Sequence, residues 1–285
     1  MRAFLAGAVL LLGAAVVFGQ MASPAAPAAS RAESLPAAEG TAKAALAKSP
    51  RHGEYVDVKV PSGGAAVRTW IVYPERKGKA GVVIVIHEVF GLSDWIRAVA
   101  DQLAREGFIA VVPDLVTGHG PGGGGTESVA SADDVVKLVH AITPEEATAR
   151  LDAVRDYAIK LPAANGKSAS IGFCWGGERS FAYATAQPAL LGAVVYYGVS
   201  PVAADLARIK APVLGMYGSD DARVDATVGP AQAEMKKLGK SYEVHTYEGA
   251  GHGFLRQQSG RDGANLKAAK QAWPRTVAFL RQVLD

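Results

Sequence analysis

The stretch Ser170-Ile-Gly-Phe-Cys-Trp-Gly-Gly177 decides the fold of this 285-residue chain. It joins a strand-like run to a helix-like run, and its Gly-x-Cys-x-Gly pattern places Cys174 where the nucleophile elbow Gly-x-Ser-x-Gly has a serine. Gly172 and Gly176 flank the strained turn and have no side chains that could collide there. The thiol is therefore predicted at a helix amino terminus, where the macrodipole and free N–H groups favour a thiolate.

Strand-like and helix-like segments alternate on both sides of this stretch. The run at 81–86 is continuously apolar and β-branched, which is typical of a strand buried on both faces of a parallel sheet. The pattern predicts one doubly wound, mostly parallel α/β domain with helices on both faces and right-handed crossovers. The other predicted strands are 55–60 and 67–73, expected to form a hairpin or edge pair, and 108–112, 168–173, 192–197, 213–217 and 242–247. Helices are predicted at 95–105, 144–160, 176–186, 230–238 and 265–283.

One segment, 116–128, breaks this alternation. It contains Pro121 followed by four consecutive glycines, 122–125. A backbone with this much freedom is not expected to form regular structure, so we predict a mobile loop near the carboxyl ends of the strands.

An acid and a histidine follow Cys174 in the order that the elbow motif requires, each just beyond a predicted strand. Gly218-Ser-Asp-Asp221 follows one strand, and Glu248-Gly-Ala-Gly-His252-Gly-Phe254 follows the next. The spacing from Gly218 favours Asp221 over Asp220 as the acid. His252 is expected to take the thiol proton, Asp221 to orient the imidazole, and the backbone N–H of Trp175 to face a developing oxyanion.

Four motifs together resemble the dienelactone hydrolase family: His87-Glu-Val-Phe-Gly91, Gly172-Phe-Cys-Trp-Gly-Gly177, Gly218-x-x-Asp221 and Gly251-His-Gly-Phe254. The likeness covers roughly 54–284. It implies an α/β-hydrolase fold, a Cys-His-Asp triad, and cleavage of a lactone or ester without a metal or an organic cofactor.

The same resemblance implies roles for residues outside the triad. Glu88 would pair with the nucleophile in the resting enzyme, and the backbone N–H of Val89 would be the second oxyanion donor. Arg256 matches one of two arginines that hold the substrate carboxylate in this family. Gly118 stands at the second position, followed by His119, which is expected to reach the site from its loop. This departure favours another small ester or lactone over dienelactone, with an anionic substrate still an option.

The amino terminus has the order of a secretory signal peptide: Met1 and Arg2, an apolar run to Phe18, then small residues. We expect a signal peptide at 1–20, an Ala/Pro-rich linker at 21–50 and the hydrolase-like domain at 51–285. Export to the periplasm or medium would follow, with an uncleaved amino-terminal anchor as the alternative. Cys174 is the only cysteine, so no intramolecular disulfide can form.

Other function classes have little support. The net charge of +3 comes without a basic cluster, which argues against nucleic-acid binding. His87-Glu88 is not a zinc motif, because Gly91 stands where the second histidine would be. We expect a monomer acting on a small molecule, without stable membrane insertion after signal cleavage. The alternatives are a broad-specificity carboxylesterase of the same fold and a non-catalytic binding or thiol-sensing protein.

Overall fold

A computed structural model describes Met1 and residues 35–285. Residues 2–20 of the proposed signal peptide and residues 21–34 of the proposed linker lie outside the described residues. The domain is a single eight-stranded sheet in the order β1-β2-β4-β3-β5-β6-β7-β8. The strands are β1 (Gly53–Val58), β2 (Val67–Val72), β3 (Ala80–Ile86), β4 (Ile109–Pro113), β5 (Ala164–Phe173), β6 (Ala193–Tyr196), β7 (Val213–Asp220) and β8 (Tyr242–Gly251).

The sheet is mostly parallel, as the sequence predicts. β1 and β2 form the expected antiparallel edge pair, with Gly53 opposite Val72, and β2 runs antiparallel to β4. All remaining neighbours are parallel. Their carboxyl ends therefore meet at one edge of the sheet, which is where an α/β fold places its site.

Eight α-helices accompany the sheet within the described part of the chain. They are α1 (Glu39–Leu46), α2 (Asp94–Arg105), α3 (Ala132–Ala141), α4 (Pro144–Ala158), α5 (Trp175–Ala186), α6 (Ala203–Leu206), α7 (Ala222–Lys237) and α8 (Ala264–Leu284). Across residues 35–285, none of these helices has the length and apolar character needed to cross a membrane.

Both faces of the sheet are covered. All seven residues of β3 are buried, and they alternate between two apolar clusters. Val82 and Ile84 pack into the cluster that holds Leu151 of α4, whereas Val83 belongs to the cluster that holds Trp273 of α8. The continuous apolar run at 81–86 reflects this two-sided burial.

Besides α1, which lies in the predicted linker, three helices differ from the sequence predictions. α7 begins at Ala222, eight residues before the predicted start, and carries Pro230 inside it. α3 and the short α6 were not predicted. α3 has an amphipathic pattern with buried Val135 and Val139, and the hydroxyl of Ser131 caps its first turn by accepting from Asp134 N–H.

The linker prediction is wrong for its described part. Residues 39–46 form α1, and Ala42 on this helix is fully buried in the cluster that contains α2. Leu35 and Leu46 pack against the same cluster. An Ala-rich segment has too weak an apolar pattern to predict docking, because alanine buries little surface on its own.

The glycine-rich loop is more constrained than the sequence suggests. Buried Asp114, just after β4, accepts hydrogen bonds from Val116 N–H at 3.1 Å and from the Thr126 N–H and hydroxyl at 2.7 and 2.8 Å. Short 3₁₀ turns at 121–123 and 126–128 lie within the loop. The prediction of irregular structure is confirmed, but these bonds tie both ends of the loop to the sheet.

Candidate active site

Cys174 stands at the turn between β5 and α5 with the backbone that the elbow motif requires. Its φ and ψ are 56° and −119°, a region that side-chain-bearing residues rarely occupy. A Cβ on Gly172 would overlap the Gly176 carbonyl oxygen, and a Cβ on Gly176 would overlap the Ile86 carbonyl oxygen. The two glycines therefore permit the close backbone approach that holds Cys174 at this turn.

His252 and Asp221 meet beyond the ends of β8 and β7. Their Nδ1 and Oδ2 atoms are 2.6 Å apart, and the Asp221 side chain is 8% exposed against 34% for His252. Burial lowers the pKa of His252, but the hydrogen bond to Asp221 and the adjacent Cys174 outweigh it and raise the pKa to about 9. The raised pKa favours the protonated imidazole, and Asp221 holds its Nδ1 side.

Tyr197 packs against His252 and is not among the predicted site residues. It follows β6, is fully buried and has a φ of 39°, which is strained for a residue with a side chain. Its ring centroid is 5.1 Å from that of His252 and 5.4 Å from that of Phe254. Tyr197 could have been predicted as a site residue from its position at the carboxyl end of a central parallel strand.

Glu88 pairs with Arg256. The Glu88 carboxylate, almost fully buried, has Oε2 2.6 Å from Arg256 Nε, in an ion pair that lacks the alignment of a hydrogen bond. Burial raises the pKa of Glu88 to about 7, although Arg256 and His252 oppose the rise. The structure pairs the Glu88 carboxylate with Arg256, and the expected resting contact between Glu88 and Cys174 stays a prediction.

His87 shapes the segment that carries Glu88. Its ring is buried, stacks at 5.6 Å on Trp175, and accepts at Nε2 from Leu115 N–H at 3.2 Å. Nδ1 therefore carries the proton and donates to the Glu88 carbonyl at 2.7 Å. Burial lowers the pKa of His87, so the ring stays neutral and holds the turn in which Val89 lies.

The two expected oxyanion donors stand at suitable backbone positions. Trp175 is the first residue of α5, so its N–H is one of those without an acceptor inside the helix. Val89 lies in the turn after Glu88, which Gly91 N–H closes on the Glu88 carbonyl at 3.2 Å. Because a Cβ on Gly176 would overlap the His87 carbonyl oxygen, the two segments pack directly on each other.

His119 does not have the expected position. Its Nε2 lies 2.6 Å from Glu146 Oε1 and 3.4 Å from Arg150 Nη2, at the start of α4. Arg150 in turn donates to the Leu115 and Thr117 carbonyls at 3.0 and 2.6 Å. His119 therefore belongs to the contacts that fix the loop, and the structure does not support a role in substrate binding.

Asp220 is also excluded from the pair with His252, because its carboxylate contacts the exposed Arg261. Over the described ranges, no cluster of three or more His, Cys, Asp or Glu side chains could hold a metal ion. The site thus consists of a thiol, a His–Asp pair, a buried Glu–Arg pair and backbone donors.

A mostly parallel sheet whose strand-to-helix turn carries Cys174, followed along the chain by a His–Asp pair beyond the next strands, is typical of the α/β-hydrolase class. The sequence profile of the Dienelactone hydrolase family matches residues 67–284. The chain belongs to this family and is an ester hydrolase.

Individual relatives agree with this assignment. A relative from Saccharolobus solfataricus is 32% identical over 259 residues, covering 78% of this chain and 96% of its own length. Carboxymethylenebutenolidase from Pseudomonas putida is 32% identical over 213 residues, covering 74% of this chain and 89% of its own. A crystal structure from Klebsiella pneumoniae superposes with a TM-score of 0.70 at 27% identity, covering 81% of this chain and 99% of that one.

Proposed function

We propose that the protein hydrolyses a small ester or lactone through a thioester on Cys174. The observation that carries the proposal is the juxtaposition of a strained elbow cysteine with the hydrogen-bonded His252–Asp221 pair. The family assignment and the carboxymethylenebutenolidase relative support the reaction class. Proximity and preorganised donors would supply most of the rate acceleration.

The steps follow from these positions. The Cys174 sulfur attacks the carbonyl carbon while protonated His252 stabilises the thiolate, and the N–H groups of Trp175 and Val89 hold the oxyanion. The carbon–oxygen bond breaks and the leaving oxygen takes a proton from His252. A water then attacks the thioester, with His252 accepting its proton, and the acid leaves as Cys174 is restored. In a lactone, the freed hydroxyl remains part of the acyl chain, so the second step releases a single hydroxy acid.

Steady-state hydrolysis of p-nitrophenyl acetate and several lactones by the purified protein and its Cys174→Ala variant tests the proposal. We expect the variant to lose at least about 10³-fold in kcat, since removing a nucleophile leaves only binding and oxyanion stabilisation. Unchanged turnover in the variant would refute a cysteine mechanism. A Cys174→Ser variant separates the alternatives, because a broad esterase can retain some turnover through the serine oxygen, whereas a thiol sensor has none to retain.

The thioester itself can be observed. Trypsin cleaves after Lys167 and Arg179, which isolates Cys174 on one twelve-residue peptide, 168–179. Acid quenching during turnover should give this peptide the mass of the acyl group, and hydroxylamine should remove the group again. An acyl mass on another peptide would place the nucleophile elsewhere.

We also propose that the protein is exported, on the basis of the amino-terminal pattern at 1–20. Fractionation of the producing cell, followed by intact mass measurement, tests this proposal. A mature chain lacking about 20 residues in the periplasm or medium is expected. The full-length mass in the membrane fraction would instead indicate an uncleaved anchor.

A further inference from the structure

Arg256 is a positively charged group that borders the candidate site. It follows His252 by four residues, and its side chain is 12% exposed. Its Nε lies 2.6 Å from Glu88 Oε2, and a Cβ on Gly253, the residue after His252, would lie 3.7 Å from its Nη2. A charged substrate group near the nucleophile would therefore interact with this guanidinium.

The amino-terminal segment reaches the same guanidinium. Glu39, the first residue of α1, has Oε2 2.5 Å from Arg256 Nη1, and its backbone N–H donates to the Arg256 carbonyl at 3.1 Å. Gln258 Nε2 donates to the Pro36 carbonyl at 2.9 Å. Buried Ala42 anchors the rest of α1 on the domain. Four independent contacts thus hold Glu39 beside the loop of the catalytic histidine.

Glu39 lies outside the region that the family profile matches, which begins at residue 67. The contact is therefore contributed by a segment that precedes the matched region. Two carboxylates share one guanidinium, Glu88 at Nε and Glu39 at Nη1. A planar guanidinium binds a carboxylate best through two parallel N–H groups, and Glu39 occupies one of the nitrogens that such binding would use.

We propose that Glu39 is a specificity-determining residue that disfavours substrates with a negatively charged acyl group and directs the enzyme toward neutral esters and lactones. The inference rests on the proposed function, since it concerns the substrates of the same site. Glu39 acts by occupying Arg256 and by repelling a second anion. Its carboxylate is 55% exposed, so the effect is moderate and sensitive to salt.

The test compares two substrates that differ by one charge: mono-p-nitrophenyl adipate and the p-nitrophenyl ester of adipamic acid. The measured quantity is the ratio of kcat/KM for the anionic ester to kcat/KM for the neutral ester. In Glu39→Gln this ratio should rise about fivefold, mainly through KM, and the rise should shrink at about 1 M salt. Glu39→Asp keeps the charge, so its ratio should lie closer to that of the wild type.

Glu75→Gln is the matched control. It removes the same charge from an exposed glutamate that lies 3.8 Å from Arg51, away from Arg256. This control should leave the ratio unchanged, which excludes an effect of net charge. A ratio in Glu39→Gln within twofold of the wild type would overturn the inference while leaving hydrolysis through Cys174 intact.

A binding measurement tests the inference independently of turnover. Calorimetry should show that adipamate binds more tightly to the double variant Cys174→Ala, Glu39→Gln than to the single variant Cys174→Ala. Equal affinity in both proteins would overturn the inference. Loss of Cys174-dependent turnover with both esters would instead count against the proposed function, so the two failures are distinguishable.

Discussion

At the scale of single residues, the two adjacent aspartates at the end of β7 have different partners. Asp221 turns inward to His252, whereas Asp220 turns outward to Arg261. Asp221→Asn should therefore lower kcat by about 10²- to 10⁴-fold, because the amide no longer stabilises the imidazolium or fixes its tautomer. The pKa of His252 should also fall from about 9, which would move the pH profile of kcat/KM to lower pH.

Asp220→Asn is the control for this substitution. It removes the same charge one residue away, from an exposed side chain whose partner is Arg261. Activity within about twofold of the wild type is expected, since exposed ion pairs contribute little. If the Asp220 variant lost activity and the Asp221 variant kept it, our assignment of the acid would be wrong.

At the scale of elements, the turn between β5 and α5 depends on backbone contact. Gly172→Ala would push a methyl group into the Gly176 carbonyl oxygen. Backbone atoms on both sides must then move, so we expect a loss of several kcal/mol in the free energy of unfolding, or a misplaced Cys174 with loss of activity. Urea denaturation and p-nitrophenyl acetate turnover measure the two outcomes.

Gly229→Ala is the matched change in a helix. Gly229 lies inside α7 directly before Pro230, and a Cβ there would meet no atom of another element within 4 Å. The substitution should change the free energy of unfolding by less than about 1 kcal/mol, because the higher helix propensity of alanine is offset by the restriction that Pro230 places on the residue before it. Similar effects of the two changes on stability would show that the elbow is less tightly packed than the structure indicates.

Elements with a strong hydrophobic pattern or a strict motif could be predicted from the sequence. All eight strands were predicted, because buried strands such as β3 read as continuous apolar runs. It failed for α7, where Pro230 was taken as a helix start, and for α1, whose alanines carry little signal. Both errors arise because neighbouring elements, and not local propensity, decide these helices.

Most contacts between parts of the chain that are distant in sequence could not be predicted. The order of Cys174, Asp221 and His252 could be predicted, since parallel strands bring their ends together. That Arg256 binds both Glu88 and Glu39 could not be predicted, because residue 39 lies 217 positions earlier and belongs to no motif. The role expected for His119 failed for the same reason: its partner Glu146 lies on another element.

At the scale of the whole molecule, the site should make stability depend on pH. The pKa of Glu88 is raised to about 7, so burial of its charged form costs stability as pH rises from about 4.5 through 7. The pKa of His252 is raised to about 9, so its contribution is complete below about 6.5 and is lost as pH rises through 9. Both groups make the free energy of unfolding fall from pH 5 to pH 9.

Urea denaturation at pH 5, 7 and 9 measures this dependence. For Glu88 alone the loss is on the order of 3 kcal/mol, because its pKa rises from 4.5 to about 7 on folding. Glu88→Gln should flatten the curve below pH 8, because the amide does not ionise, while Glu75→Gln should leave its shape unchanged. An unaltered slope in Glu88→Gln would show that Arg256 fully compensates the buried charge.

The single cysteine gives the protein a built-in reporter. Cys174 is the only thiol in 285 residues and lies partly accessible at the elbow. A chromogenic disulfide such as dithiodipyridine would therefore release one equivalent of chromophore for each chain with a reduced thiol. The fraction of chains whose thiol is still reduced can thus be measured by absorbance, and a fluorophore attached there would mark one defined position without any engineering of the chain.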